Sequence, residues 1–244
     1  MGPAVNAAIP APLLDLYEGQ PARVRAHIRT RWRTCPFPAV AALVPATGRI
    51  LDFGSGHGLL ASWLALRSSA RTVVGVDVDP NKIASARQAA ARARSRGLPA
   101  AEFRVGASSG FPSGPWDAVL FVDVLYLLDP AGQERALRDA ARALAPGGAV
   151  LVKETSRHPR WKAAWAEAQE FLAVRILRIT AGAGIRFLAP ATYAGWLEAE
   201  GLAVVGAPAD RGYLHPHHLL AARRGAAVGS QPGGNASEGT GDRG

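Results

Sequence analysis

Hydrophobic positions along the chain form short apolar runs rich in β-branched residues, separated by longer amphipathic stretches. Short apolar runs bounded by turn residues are typical of buried strands. The first five cover residues 49–53, 72–77, 101–106, 116–123 and 148–154. Strands that alternate with helices predict right-handed crossovers and a parallel sheet covered on both faces.

The helices between these strands carry clear end signals. Asp79 and Asp129 each precede a proline, the pattern of an N-cap followed by proline at the first helical position. Glycines then mark the helix ends. The predicted helices cover residues 81–96, before Gly97, and 131–145, before Gly147.

The alternation stops after the fifth strand. Residues 155–190 are predicted to be a helical insertion on the substrate side, followed by a helix over residues 191–201. Two further strands, residues 202–207 and 217–222, are joined by about nine residues, too few for a parallel crossover. The pattern therefore predicts an α/β fold with a mostly parallel seven-stranded sheet whose last strand is antiparallel.

The length of 244 residues allows one sizeable core. We expect residues 1–48 to form a helical segment that acts as a lid and residues 49–224 to form the main domain. The polar, aperiodic residues 225–244 are expected to be disordered. The chain has no apolar run of membrane-spanning length and no signal-peptide pattern, so a cytoplasmic location is expected.

Charge and cysteine content restrict the chemistry. The net charge of +9 allows a polyanionic partner, but only three of the 28 basic residues are lysine, which is also typical of a GC-rich coding bias. The single cysteine, Cys35, excludes an internal disulfide framework and a cysteine-clustered metal site.

A glycine-rich turn follows the first strand in the sequence ILDFGSGHG. Such turns let backbone amides approach a ligand at a helix N-terminus. A dinucleotide-binding turn would carry its third glycine at position 59, whereas this chain has it at Gly58. Asp77, at the end of the second strand, stands where a carboxylate accepts hydrogen bonds from ribose hydroxyls. These features indicate a nucleoside without a pyrophosphate.

The segments ILDFGSGHG, GVDVDP and LAPGGAVLVKE, in this order, resemble the class I S-adenosylmethionine-dependent methyltransferases. The resemblance covers about residues 48–153 and implies a Rossmann-like three-layer sandwich, S-adenosylmethionine as cofactor and methyl transfer as the reaction. It also implies that the glycines pack against the methionine part of the cofactor, that Asp52 helps to position its amino group and that Asp77 binds the ribose.

One position departs from the family pattern. Relatives often have Gly-Asp-Ala after the third strand, with the Asp at the adenine amino group, where this chain has Gly106-Ala107-Ser108. The adenine contact is then missing, made by backbone or made by Ser108. The expected cofactor-binding residues are Asp52, Gly54, Gly56, Gly58, Asp77, Val78, Ala107, Ser108 and Asp123.

Candidate catalytic residues stand at the carboxyl ends of the later strands, where ligands bind in open parallel sheets. Methyl transfer is an in-line displacement that depends chiefly on positioning and needs a general base only for some acceptors. Asp123 is the first candidate to orient the substrate or accept its proton, and the alternative is a cap of the strand end. Tyr126 either contacts the substrate or packs, and His215 is a candidate general base.

A metal site is not expected. The spacing of His215, His217 and His218 lacks an accompanying carboxylate cluster, and neighbouring positions on a strand point to opposite faces. His57, within the glycine turn, is expected to have no catalytic role.

The arginine-rich segment near the N-terminus predicts an amphipathic helix. Val24, Ile28 and Trp32 make an apolar stripe, and a basic stripe adjoins it at Arg25, Arg29 and Arg33. Such a helix could cover the cofactor site, bind an acidic substrate or make peripheral contact with an anionic membrane. The alternative is a solvated face over the core.

The acceptor is restricted by what the chain lacks. No Pro-Pro-Tyr motif follows the fourth strand and no Pro-Cys nucleophile is present, which disfavours the familiar base-methylating subclasses. The predicted acceptor is a small molecule, lipid-like or a secondary metabolite, and a nucleic-acid partner is disfavoured. The alternatives are methylation of RNA or protein, or a non-catalytic binding module of the same fold. The acceptor atom and the oligomeric state stay open.

Overall fold

A computed structural model of the protein describes residues 8–106, 111–155, 186–209, 213 and 217–225. Within these residues seven strands form one sheet, in the spatial order β3-β2-β1-β4-β5-β7-β6. The strands are β1 (Gly48–Phe53), β2 (Arg71–Asp77), β3 (Glu102–Val105), β4 (Trp116–Val122), β5 (Leu144–Thr155), β6 (Ala203–Pro208) and β7 (His217–Arg223).

Strand directions confirm the predicted sheet. Strands β1 to β5 pair in parallel, whereas β7 is antiparallel to both of its neighbours, β5 and β6. The chain runs from β1 towards β3 on one side and from β4 onward on the other. A crevice therefore forms outside the carboxyl ends of β1 and β4, the usual ligand site of such sheets.

Helices cover both faces of this sheet. They are α1 (Ala11–Asp15), α2 (Ala22–Thr34), α3 (Phe37–Leu43), α4 (Leu59–Arg67), α5 (Pro80–Ser95), α6 (Pro130–Arg142) and α7 (Pro190–Ala199), with a 3₁₀ turn at Leu125–Leu127. The two predicted caps are present: Asp79 accepts hydrogen bonds from the amides of Asn81 and Lys82, and Asp129 accepts one from Gly132. Helix α6 ends earlier than predicted because β5 already begins at Leu144.

Successive strand residues contribute to different apolar cores, as expected for a sheet buried on both faces. Ile50 packs with α4 and α5, while Leu51 packs with α6 and α7. The three N-terminal helices belong to the first of these cores, where the Trp32 ring meets the Trp63 ring edge-on at a centroid distance of 4.9 Å. Residues 8–47 thus share a hydrophobic core with the sheet.

Two predicted segments lie largely outside the described residues: positions 156–185 of the insertion and 226–244 of the tail. Within the described part of the chain, no helix combines the length and apolar character needed to cross a membrane.

Candidate active site

The turn between β1 and α4 is built on glycine for steric reasons. Gly54, Gly56 and Gly58 have φ values of 78°, 55° and 77°, in the left-handed region that favours glycine. A Cβ atom at Gly54 would collide with Val124, but one at Gly56 would meet nothing within 4 Å. The backbone at Gly56 therefore borders open space in which a ligand can approach.

Asp77 closes this turn from the neighbouring strand. Its Oδ2 accepts a hydrogen bond of 2.8 Å from the amide of Gly56, and its Oδ1 accepts one of 2.9 Å from the amide of Asp79. The carboxylate is half-buried, and each oxygen has a further lone pair for a ligand hydroxyl. This arrangement suits the two hydroxyls of a ribose.

Asp52 lies beneath the turn and is almost completely buried. Burial, together with the nearby charge of Asp77, raises the pKa of Asp52 to about 7. A ligand that brings a positive charge close to this carboxyl would favour its ionised form. The site therefore suits a cofactor with an ammonium group.

Apolar side chains border the crevice beyond Asp77. Val78, which follows β2, is 78% exposed, and Val105, at the end of β3, is 45% exposed. The register of β2 and β3 places Asp77 beside Val105. These side chains offer apolar surface next to the position expected for a ribose, which suits an adenine ring. Ala107 and Ser108 lie outside the described residues.

The N-terminal segment supports the glycine turn directly. The hydroxyl of buried Tyr17 donates a 2.9 Å hydrogen bond to the carbonyl of His57, and the His27 ring lies 5.2 Å from the His57 ring. Burial lowers the pKa of His57, and the charge of Lys82 lowers it further. Nothing in the sequence pattern pointed to Tyr17, because a contact across 40 residues leaves no local signal.

Asp123, at the end of β4, carries two ion pairs. Its Oδ1 lies 2.5 Å from Lys153 Nζ, and its Oδ2 lies 2.9 Å from Arg31 Nη1. Burial alone would raise the pKa of Asp123, but the charges of Lys153 and Arg31 hold it below its usual range. A carboxylate of such low basicity does not take up a proton at neutral pH, which argues against the predicted role as proton acceptor.

Glu154 holds the loop that follows Asp123. Its Oε1 accepts hydrogen bonds from the amides of Val124 at 3.1 Å and Leu125 at 2.9 Å. Burial, followed by the charge of Asp123, raises the pKa of Glu154 to about 8. These surroundings favour the uncharged form of this carboxyl.

Tyr126 lies in the 3₁₀ turn after β4 and is half-buried. Its ring packs against the Phe187 ring at a centroid distance of 5.0 Å. The amide of Arg186 donates to the Tyr126 carbonyl over 2.9 Å. Tyr126 thus takes part in an aromatic pair at the carboxyl edge of the sheet.

The histidines of β7 point to opposite faces. His217 Nε2 lies 2.8 Å from the carbonyl oxygen of Thr34, whereas His218 lies beside Tyr193 and Leu220. His215 lies outside the described residues. Among the residues that the structure does describe, no three His, Cys, Asp or Glu side chains form a cluster suited to a metal ion.

The arginine that reaches the site is not one of the predicted basic stripe. Arg31 pairs with Asp123, whereas Arg29 and Arg33 are exposed and Arg25 is half-buried. Arg31 lies three residues after Ile28, at the edge of the apolar stripe, and this spacing was the available signal. The apolar stripe of α2 is buried in the core.

Comparison with known proteins agrees with this geometry. A family model described as a methyltransferase domain matches residues 25–207, about three quarters of the chain. A demethylmenaquinone methyltransferase of Thermus thermophilus is 38% identical over 120 residues, which cover 49% of this chain and 52% of that protein. A ribosomal RNA small subunit methyltransferase C of Chromohalobacter salexigens is 31% identical over 122 residues, covering 48% and 35%. The chain thus spans about half or less of these curated relatives.

Solved structures share the fold. An O-methyltransferase family protein from Burkholderia thailandensis superimposes with a TM-score of 0.65 at 20% identity, covering 87% of this chain and 62% of that one. The magnesium protoporphyrin IX methyltransferase of Synechocystis PCC 6803, solved with bound S-adenosylhomocysteine, gives 0.61 at 17% identity, covering 87% and 93%. The match of the family model, which includes the glycine turn, Asp77 and strands β1 to β5, shows that this chain belongs to the methyltransferase domain family.

Proposed function

We propose that the protein is an S-adenosylmethionine-dependent methyltransferase and that it transfers the methyl group to a small acceptor with an aromatic or aliphatic body, a lipid-like molecule or a secondary metabolite. The observation that carries this proposal is the position of α2 across the carboxyl edge of the sheet. The helix contacts both ends of the site. The His27 ring lies beside His57 in the glycine turn, and Arg31 pairs with Asp123 at the end of β4. A site covered in this way admits a small molecule more readily than a folded RNA.

Apolar groups next to the site support the same acceptor class. Tyr126 and Phe187 form a half-buried aromatic pair, and Leu127 beside them is 38% exposed. Tyr126 lies in the 3₁₀ turn that directly follows β4, so the pair is near the end of this strand. Binding pockets for small organic molecules are typically lined in this way, by apolar and aromatic side chains with a few polar groups. The first curated relative is named for a small molecule, demethylmenaquinone.

The reaction gives these residues different tasks. The cofactor supplies a methyl group on a sulfonium, and a new bond from the acceptor atom to that carbon forms as the carbon–sulfur bond breaks. Asp123 and Tyr126 orient the acceptor, Asp77 holds the ribose, and closure by α2 limits the access of water. Such positioning provides much of the rate of an in-line displacement. The proton of the acceptor leaves to solvent or to a base other than Asp123.

A second candidate acceptor is RNA or a ribosomal protein. It is favoured by the net charge of +9, by the exposed Arg29 and Arg33, and by relatives named for ribosomal RNA and for ribosomal protein L11. Binding to RNA through phosphate contacts would weaken steeply as the salt concentration rises. The same salt dependence is not expected of a small acceptor.

Transfer of a labelled methyl group separates the two candidates. Purified enzyme and S-adenosylmethionine labelled in its methyl group are incubated with a low-molecular-mass cell extract, with total RNA and with ribosomal proteins. We expect label in the small-molecule fraction, and we expect the Asp77→Ala variant to transfer far less. Label that is found only in acid-precipitable RNA or protein would contradict the proposal.

A further inference from the structure

A small cavity lies at the carboxyl end of β5, between the sheet and the start of α7. Its floor consists of the buried side chains of Val152, Tyr193 and Leu220. Its rim consists of side chains that are only half-buried, those of Leu188, Pro190 and His218. The cavity measures about 10 Å³, which is room for about one water-sized group. A ligand can therefore place one small group here while the rest of it stays outside.

Glu154 also lines this cavity and brings to it a carboxyl oxygen that has no partner. The residue is 5% exposed, and its Oε1 is held by the amides of Val124 and Leu125. Its Oε2 is buried and forms no hydrogen bond within the part of the chain that the structure describes. The Tyr193 hydroxyl on the cavity floor donates to Gln133 instead. A buried polar atom without a partner costs free energy, which favours a bound group at Oε2.

The cavity adjoins the aromatic pair that is proposed to contact the acceptor. Leu188 on the rim directly follows Phe187, whose ring packs against Tyr126. The two amides that Glu154 holds directly precede Tyr126. An acceptor whose body lies against this pair can therefore reach the cavity with one end.

The expected cofactor site lies elsewhere in the sheet. The glycine turn follows β1 and Asp77 ends β2, whereas Glu154 belongs to β5. In the sheet, β4 separates β5 from β1 and β2. A group bound at Glu154 is therefore a part of the acceptor and not of the cofactor.

The chemistry of the cavity selects a hydroxyl among the possible groups. A protonated Oε2 donates a hydrogen bond, whereas an ionised Oε2 accepts one. A hydroxyl can pair with either form because it both donates and accepts, but an ammonium only donates and a carboxylate only accepts. A charged group would also lose its hydration against the apolar floor. The volume of the cavity suits a hydroxyl as well.

We propose that this cavity is a specificity subsite in which Glu154 Oε2 forms a hydrogen bond with a hydroxyl group of the acceptor. The inference rests on the proposed function and narrows the acceptor to molecules that carry a hydroxyl away from the methylated atom. Glu154 then distinguishes such a molecule from its deoxy analogue, which leaves the buried carboxyl oxygen unpaired.

Labelled methyl transfer to the small-molecule fraction of a cell extract tests the subsite. The rate is measured over a dilution series of that fraction, which gives the amount of acceptor needed for half of the maximal rate. In Val152→Leu one additional methylene fills the cavity and leaves Glu154 in place. We expect this amount to rise roughly tenfold or more, the effect of losing a hydrogen bond to a charged group.

Glu154→Gln is the conservative variant. The glutamine keeps an oxygen for the loop amides and presents to the cavity an amino group that only donates. It should therefore raise the half-saturating amount of acceptor by less than Val152→Leu does.

Val204→Leu is the matched control, because it adds the same methylene on β6, on the same face of the sheet but outside the cavity. It should leave the half-saturating amount unchanged. Calorimetry with S-adenosylhomocysteine should give the same affinity for the wild type and for all three variants, because the cavity lies outside the expected cofactor site.

The labelled product gives a second readout. It is purified and treated with acetic anhydride, and mass spectrometry should then find a hydroxyl that has been esterified in the methylated molecule. A product without a free hydroxyl would overturn the inference. So would half-saturating amounts that equal the wild type in both cavity variants, or a parallel loss of cofactor affinity in both. A wild type that labels no small molecule would contradict the proposed function itself, and the subsite would fall with it.

Discussion

Three buried carboxyl groups at the carboxyl edge of the sheet differ in charge because their surroundings differ. Burial raises the pKa of Asp52 and Glu154, whereas Lys153 and Arg31 outweigh burial at Asp123 and lower its pKa. Two carboxyl groups with a raised pKa and one with a lowered pKa therefore lie in the same region of the sheet. This pattern favours the proposed role of Asp123 in positioning the acceptor over a role in taking up its proton.

Asp77 is the residue proposed to bind the ribose of the cofactor. The Asp77→Ala variant should bind S-adenosylhomocysteine more weakly by about 1–3 kcal/mol, because charged hydrogen bonds to the ribose are lost. Isothermal titration calorimetry measures this difference. Asp129→Asn is the control, since it keeps a capping side chain on α6 away from the site. Unchanged affinity in Asp77→Ala would show that the ribose binds elsewhere.

Glu154 should make the protein less stable as the pH rises. Its pKa in the folded state, about 8, is above its ordinary value near 4.5. The protonated form of Glu154 stabilises the folded protein fully at pH values below the pKa of the unfolded chain. This stabilisation is lost as the pH rises through the pKa of the folded state. Between about pH 5 and pH 8 the wild type should lose up to about 1.4 kcal/mol of unfolding free energy per pH unit through this group.

Urea unfolding of the wild type and of Glu154→Gln at several pH values measures this effect. The variant lacks the titrating group, so its unfolding free energy should rise relative to that of the wild type as the pH increases. The comparison removes the contribution of Asp52, which both proteins share. Parallel pH profiles would contradict the burial argument for Glu154.

At the scale of elements, the N-terminal segment supports the glycine turn as well as the core. Tyr17→Phe removes the hydrogen bond to the His57 carbonyl and should lower the unfolding free energy by about 0.5–1.5 kcal/mol. It should also weaken S-adenosylhomocysteine binding severalfold, because the glycine turn loses a support. Thermal or urea unfolding and calorimetry measure the two effects.

Tyr193→Phe provides the matched control. The Tyr193 hydroxyl donates to Gln133 on α6, on the other face of the sheet. Its loss should cost similar stability and leave cofactor affinity unchanged. If the two variants affect affinity equally, the link between the N-terminal segment and the turn does not exist.

The strands and capped helices were predictable because their signals are local. Apolar runs, the Asp-Pro caps and the short connection before the last strand determined the sheet, including antiparallel β7. The glycine turn and Asp77 were predictable for the same reason. The ion pairs of Asp123 and the contact of Tyr17 were not, since they join residues far apart in sequence. The spacing of apolar residues identified the buried stripe of α2. It did not show whether the side chains on one side of that stripe or on the other face the site.

At the scale of the whole molecule, the N-terminal helices pack on the sheet and contact the ends of its central strands. Their apolar side chains share one core with β1, α4 and α5, while polar contacts from α2 reach β4 and β7. Cofactor and acceptor are therefore expected to meet between the glycine turn and the end of β4. The ends of the strands hold the glycine turn, Asp77 and Asp123, and α2 contributes further side chains to the same region.

A crystal structure of the protein with S-adenosylhomocysteine tests this account most directly. We predict both ribose hydroxyls within about 3 Å of the Asp77 carboxylate, the backbone of Gly56 against the ligand, and the amino-acid end directed towards the end of β4 beneath α2. A ligand bound away from the glycine turn, or a ribose without contact to Asp77, would contradict it.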